Sequence, residues 1–253
     1  MTNRHDSLGV KQVIRLEWME KAVNLSMSGM DPQEIRLVLH EYLAERKGDG
    51  SIGERSKLTR SQAVVVLMNI WGKPNPEIAT FIEDVKLQIQ SNGLDLAEKK
   101  ALYWAAISAA YPFWFNVARQ VGRLLNLQDQ ITKQQIVRRL KEQYGDRQTV
   151  SRVTRYVIRS FVAWDILKDT AKKGCYERGN MLSVHEQSTV NLLLECALHT
   201  LPEGKSSINA PYSNPGFFIF DFPSITGEMI AQINPRIEVM RFGIDEEILK
   251  LKL

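Results

Sequence analysis

Three arginines, Arg152, Arg155 and Arg159, recur at helical spacing within residues 146–164. At about 100° per residue they line one side of a helix, while Val150, Val153, Val157, Phe161 and Trp164 fall on the other. None of the three has an Asp or Glu three or four positions away, the spacing at which a helix face neutralises its own charge. A row of guanidinium groups without such partners suits phosphate oxygens; an ordinary solvated face is the alternative. Arg147, Gln148 and Ser151, near the start of the same helix, are the candidates to meet base edges, and Arg152, Arg155 and Arg159 the candidates to bind phosphate. Arg138 and Arg139 lie just upstream, and Lys172 and Lys173 just downstream.

Catalytic groupings are sparse by comparison. His5, His40, His185 and His199 are scattered, and no zinc-protease, deaminase or nucleophile-elbow spacing occurs, so the chain reads as a non-enzyme with no metal or cofactor. Glu186 and Glu195 lie near His185, His199 and Cys196 without a spacing that requires them to converge. Residues 48–53 match G-x-G-x-x-G, but the match follows a helical pattern rather than a strand, so a loop is expected and not a dinucleotide site. Arg55, Lys57 and Arg60 precede or open a helix whose free N–H groups favour anions, which makes them additional candidates for phosphate contact.

The distribution of charge agrees with a polyanion partner. Residues 119–178 hold 14 Lys/Arg against 6 Asp/Glu, although the whole 253-residue chain carries only +4. Two cysteines, Cys175 and Cys196, without a C-x-x-C or a secretion signal, exclude a disulfide framework and point to the cytoplasm. The uncharged stretch 101–118 contains Ser108, Pro112 and Asn116, so it reads as a buried helix broken at Pro112, not as a membrane span. Its aromatic residues Tyr103, Trp104, Tyr111, Phe113, Trp114 and Phe115 are expected in the core rather than stacked on bases, since no Lys or Arg is interleaved among them.

These residues are carried on a mainly α chain. Helices are expected over 13–28, over 32–45 with Asp31 as N-cap and Pro32 at the first position, from Thr59 to Trp71 and over 77–90. Asp95 caps the aromatic helix. Thr132 and Gln135 form a capping box for a helix to about 143, and Gly145 makes a tight turn after which Asp146 caps the arginine helix. Helix, short turn and helix is the spacing of a helix-turn-helix, and residues 165–178 read as a basic hairpin around Lys172-Lys173-Gly174, the position of a wing. Beyond it come a helix over 187–201, a loop over 202–215, strands near 217–222 and 236–242, and a short helix near 224–232. The expected division is a helical part over 1–92, the aromatic helix with a winged helix-turn-helix over 93–184, and a small α+β extension over 185–253.

The order of the segments 55–62, Ile70-Trp71, 110–115, 145–152 and 164–167 resembles that of the BrxA proteins of bacterial BREX phage-defence systems over about residues 10–185. The resemblance implies a small, helical, non-enzymatic DNA-binding protein with a NusB-like helical part, acting in anti-phage defence. It covers neither residues 187–253 nor the glycine-rich loop, and it assigns no individual residue. Duplex DNA is therefore the expected partner, in phage defence or transcriptional control. Two other readings share these residues: a scaffold for protein partners of a multi-subunit defence complex, and an RNA-binding NusB-like helical protein. A homo-oligomer is compatible with each.

Overall fold

The computed structural model describes residues 4–207, 213–242 and 246–252; the part of the expected 202–215 loop at 208–212 lies outside the described residues. Most of the described chain is helical, with small sheets towards its second half. Helices α1 (Leu16–Met27), α2 (Pro32–Tyr42), α3 (Lys57–Leu67) and α4 (Ala79–Gln90) precede α5 (Leu96–Ala110) and α6 (Pro112–Leu125). Then come β1 (Gln130–Thr132), α7 (Lys133–Tyr144), α8 (Gln148–Ala163), β2 (Leu167–Asp169) and β3 (Cys175–Arg178). The remainder holds β4 (Leu182–Ser183), α9 (Gln187–His199), β5 (Lys205–Ser207), β6 (Phe220–Asp221), α10 (Gly227–Ile233), β7 (Ile237–Phe242) and β8 (Glu246–Leu251).

Local signals account for most of the helix starts. The Asp31 carboxylate accepts from the Gln33 N–H at 2.8 Å, with Pro32 at the first helical position, and Asp95 accepts from the Glu98 N–H at 2.9 Å. The Glu98 side chain does not return to its own helix start. Buried, it accepts from the N–H groups of His185 and Glu186 at 2.7 and 3.0 Å and so ties the entry of α9 to α5. Helix α3 begins earlier than Thr59: Ser56 is its N-cap, and its hydroxyl accepts from the Thr59 N–H. Its far end widens into a π-turn over Met68–Gly72, where the Lys73 N–H reaches back five residues to the Met68 carbonyl at 2.7 Å. That turn keeps Ile70 and Trp71 in the core.

Helix α5 is buried on every side over Ala101–Ala109 and has α9 lying along it. At Pro112, which has no N–H to continue the ladder, the chain leaves α-geometry at Tyr111 and restarts as α6. No described helix is long and apolar enough to cross a membrane. The aromatic run packs as a core. Trp104 and Trp114 sit 5.0 and 4.9 Å from Phe161, with Trp164 5.4 Å from Trp114 and Phe220 5.7 Å from Trp104, so rings from α5, α6, α8 and β6 interlock. Each such ring contributes about 2–3 kcal/mol through burial alone. Phe217–Phe222 is not one strand: Pro215–Phe217 is a 3-10 turn and only Phe220–Asp221 pairs, in parallel with β4.

The 3-10 turn is held tightly against α6. A Cβ placed on Gly122 would lie 2.0 Å from the Pro215 carbonyl oxygen, and one on Gly216 would lie 2.5 Å from the Phe115 ring. Backbone cannot yield as a flexible side chain can. Gly122→Ala is accordingly expected to cost about 1–3 kcal/mol of stability, the range for overpacked cores. Urea unfolding followed by far-UV circular dichroism would check this; an unchanged midpoint would mean that the turn gives way freely.

Candidate nucleic-acid interface

The candidate interface is built on the segment β1-α7-α8-β2-β3. Its three strands form an antiparallel sheet in the order β1-β3-β2, with Ile131 opposite Tyr176 and Leu167 opposite Arg178. The strand that precedes the two helices therefore pairs with the last strand, which brings the hairpin back beside α8. Thr132 ends β1 and starts α7. Its hydroxyl accepts from the Gln135 N–H at 3.2 Å while the Gln135 side chain accepts from the Thr132 N–H at 2.7 Å, the expected capping box. Helix α7 ends at Gly145, whose φ of +83° is natural only for glycine, and three residues later α8 begins.

Asp146 does not cap α8. It forms an ion pair with Lys141 at 2.6 Å, and Arg147 takes the N-cap position without a side-chain bond to the helix. The first turn of α8 thus has no side-chain cap and no acidic residue of its own, which favours an approaching anion.

The core fixes the orientation of α8. Val150, Val153, Val157, Phe161 and Trp164 are buried, as the stripe predicts. Its last turns are also tied by polar bonds: the Ile14 N–H donates to the Ser160 hydroxyl at 2.9 Å, and the Trp164 indole donates to the Ile14 carbonyl at 3.0 Å. The buried Lys100 ammonium donates to the Trp164 carbonyl at 2.9 Å, placing a cation at the helix C-terminus. Such a helix cannot roll to hide its arginines without breaking these contacts.

On the outer face Arg147, Gln148, Arg152 and Arg155 are exposed and Ser151 is half-buried. Arg147 donates to the Tyr144 carbonyl at 2.9 Å, and Arg155 lies 5.3 Å from the ring of its neighbour Tyr156. Neither Arg152 nor Arg155 has an ion pair among the described residues. Arg159 does. Its guanidinium meets both carboxylate oxygens of Asp169 at 2.7 Å, a partner ten positions away that helical spacing does not reveal. Tyr176 lies beside this pair, and burial pushes its phenol up, partly offset by Arg159. Among the described residues the rail therefore has two unpaired arginines rather than three.

Of the flanking cations, Arg138 is exposed and loosely paired with Glu142 at 3.7 Å, and Arg139 is half-buried. Lys172 and Lys173 are exposed at the hairpin turn, where the Lys172 carbonyl accepts from the Cys175 N–H at 3.0 Å. A groove of about 650 Å³ runs beside α7, lined by Lys133, Val137, Arg138, Lys141 and Ser151, with Glu142 and Asp146 tempering its charge. Lys133 belongs to no arginine pattern in the sequence, although its position one residue after the Thr132 cap places it on the first turn of α7. Lys168, on β2, is another exposed cation of the segment, and it donates to Asn180 at 2.9 Å.

The remaining candidates lie elsewhere. Arg55 is no solvated loop cation: it is buried over the Trp18 ring at 4.7 Å, while Lys57 is exposed and Arg60 half-buried. Glu195 and His199 do meet, at 3.3 Å, but Cys196 is buried beside them and His185 is exposed. No group of three His, Cys, Asp or Glu side chains among the described residues is arranged to hold a metal ion. Comparison of the chain with protein-family models, curated proteins and solved structures returned no match.

Proposed function

We propose that this protein binds duplex DNA without chemistry, through a winged helix-turn-helix over about residues 131–184 in which α8 is the recognition helix and the β2-β3 hairpin the wing. The observation that carries this reading is the pair Arg152 and Arg155, exposed and without ion pairs among the described residues, on a helix whose opposite face is locked into an aromatic core. The strand order β1-β3-β2 around two helices and a three-residue turn supports the winged arrangement. Arg147, Gln148 and Ser151 would meet base edges at the helix start. Arg152 and Arg155 would hold phosphates, joined by Arg138, Arg139, Lys172 and Lys173 from the flanking elements. Arg159 would contribute only by exchanging Asp169 for a phosphate. The resemblance to BrxA proteins gives this recognition a setting in cytoplasmic anti-phage defence.

Filter binding of a duplex, a single strand and an RNA of equal length, each at two salt concentrations, tests the proposal. Duplex DNA is expected to bind tightest, with affinity falling about 0.9 log units per log unit of salt for each phosphate contacted. Preference for RNA would instead favour the NusB-like reading, because the narrow major groove of A-form RNA does not admit a helix. No saturable binding to any of the three would leave α8 as a face for acidic protein partners.

A further inference from the structure

A second cationic site lies away from α8. Where the chain passes from α2 into α3 there is a cavity of about 590 Å³, within the size range of small-ligand sites, lined by Glu45, Glu54, Arg55, Ser56, Lys57 and Arg60 among others. Arg55, 7% exposed, is one of its walls. Its guanidinium lies on Trp18 and donates to the Thr59 carbonyl at 3.2 Å, but it meets no carboxylate among the described residues. Burial, then the nearby Arg60, push it down to about 10. Arg60, half-buried, lines the same cavity, and its Nε is turned inward, sealed from solvent and without an acceptor among the described residues. Across the helix pair, His40 on α2 is pushed down by burial and then by Arg60, Arg36 and Lys57, so further positive charge gathers around the same place.

A buried cation without a counter-charge is costly, and an anion in the cavity would offset that cost. The start of α3 lines the cavity with Ser56 and Lys57, so the positive end of the helix faces it. The glycine-rich loop over 48–53 is not the cradle. The N–H groups of Gly50, Ser51 and Gly53 are spent on Lys47, Asp49 and Glu45, so this loop forms a wall.

We propose that this cavity binds a small phosphate ester of nucleotide size, its phosphate held by Arg60, Lys57 and the first turn of α3. The exposed carboxylates of Glu45 and Glu54 decide between a small ligand and a polymer. They would repel a duplex, whose phosphates continue past the rim, yet they can accept hydrogen bonds from the hydroxyl or amino groups of a small ester. The site is independent of the DNA reading.

Calorimetric titration of the full chain with adenosine 5′-monophosphate, ribose 5-phosphate, adenosine and, at matched ionic strength, sulfate tests it. Saturable binding is expected for the two esters and not for adenosine or sulfate. Arg60→Gln, or Lys57→Gln should the first variant fold poorly, is expected to weaken binding about tenfold through removal of a charge-assisted bond. Glu54→Gln is expected to tighten it, and the pair Arg152→Ala/Arg155→Ala to leave it unchanged. Absence of binding by both esters, equal binding by sulfate, insensitivity to both Arg60→Gln and Lys57→Gln, or displacement of the ester by duplex DNA would overturn the proposal.

Discussion

Replacing Arg152 and Arg155 together by alanine is expected to weaken duplex DNA binding by at least about 150-fold at moderate salt, since each charge-assisted hydrogen bond to phosphate is worth about 1.5–3 kcal/mol. The salt dependence should flatten by about 1.8 log units per log unit of salt, because two phosphates are no longer neutralised. Both side chains are exposed and without ion pairs among the described residues, so folding stability should change by less than about 0.5 kcal/mol and any fall in affinity belongs to the interface. Arg159→Ala should cost less, because its guanidinium is already engaged by Asp169 at 2.7 Å. Asp169→Asn carries the opposite sign: it frees Arg159 and should raise affinity roughly threefold, in line with an exposed ion pair worth under about 1 kcal/mol. Mobility shifts across a salt series would measure all these variants. An unchanged salt slope in the double variant would remove α8 from the interface.

How much of this arrangement is legible in the sequence depends on how far apart its determinants lie. The caps at Asp31, Asp95 and Thr132 and the break at Pro112 rest on residues within about one turn, and the apolar stripe of α8 on a single helix, and each appears where local chemistry places it. Errors begin where a second local option competes. Asp146 looks like an N-cap, but the positive φ of Gly145 sends the chain one residue further, and Lys141 claims the carboxylate instead. The larger departures are tertiary. Arg159 loses its freedom only when β2 folds back, and Arg55 is buried only because Trp18 lies beneath it. Neither partner stands at a helical spacing, so no periodicity could expose it. The exposure of Arg152 and Arg155 is legible for a physical reason: a strongly apolar opposite face leaves a helix one way to dock.

The buried ion cluster at the C-terminal side is the strongest case of such tertiary pairing, and breaking it is expected to have the largest effect on stability. Glu195, fully buried on α9, is gripped by Arg236 through two bonds of 2.7 and 2.8 Å and also accepts from Asn234, while Arg236 reaches Asp84 on α4 at 2.5 Å. One guanidinium thus joins α4, α9 and the start of β7. Removing it leaves a buried carboxylate uncompensated, so Arg236→Met is expected to cost about 3–5 kcal/mol. The pH dependence gives a sharper test. Burial pushes the Glu195 carboxyl up, but the bonds from Arg236 and His199 outweigh it and hold the group below its usual range. In the unaltered protein this contribution is complete above the unfolded carboxylate value, about 4.3, and is lost as pH falls through the depressed folded value. Without Arg236 burial prevails, the folded value rises, and the sign reverses: the Glu195 contribution should then decline as pH climbs through that raised value. Urea unfolding of both proteins between pH 3 and 7 would measure the difference in slope. Parallel curves would show that the guanidinium does not set the charge state of Glu195.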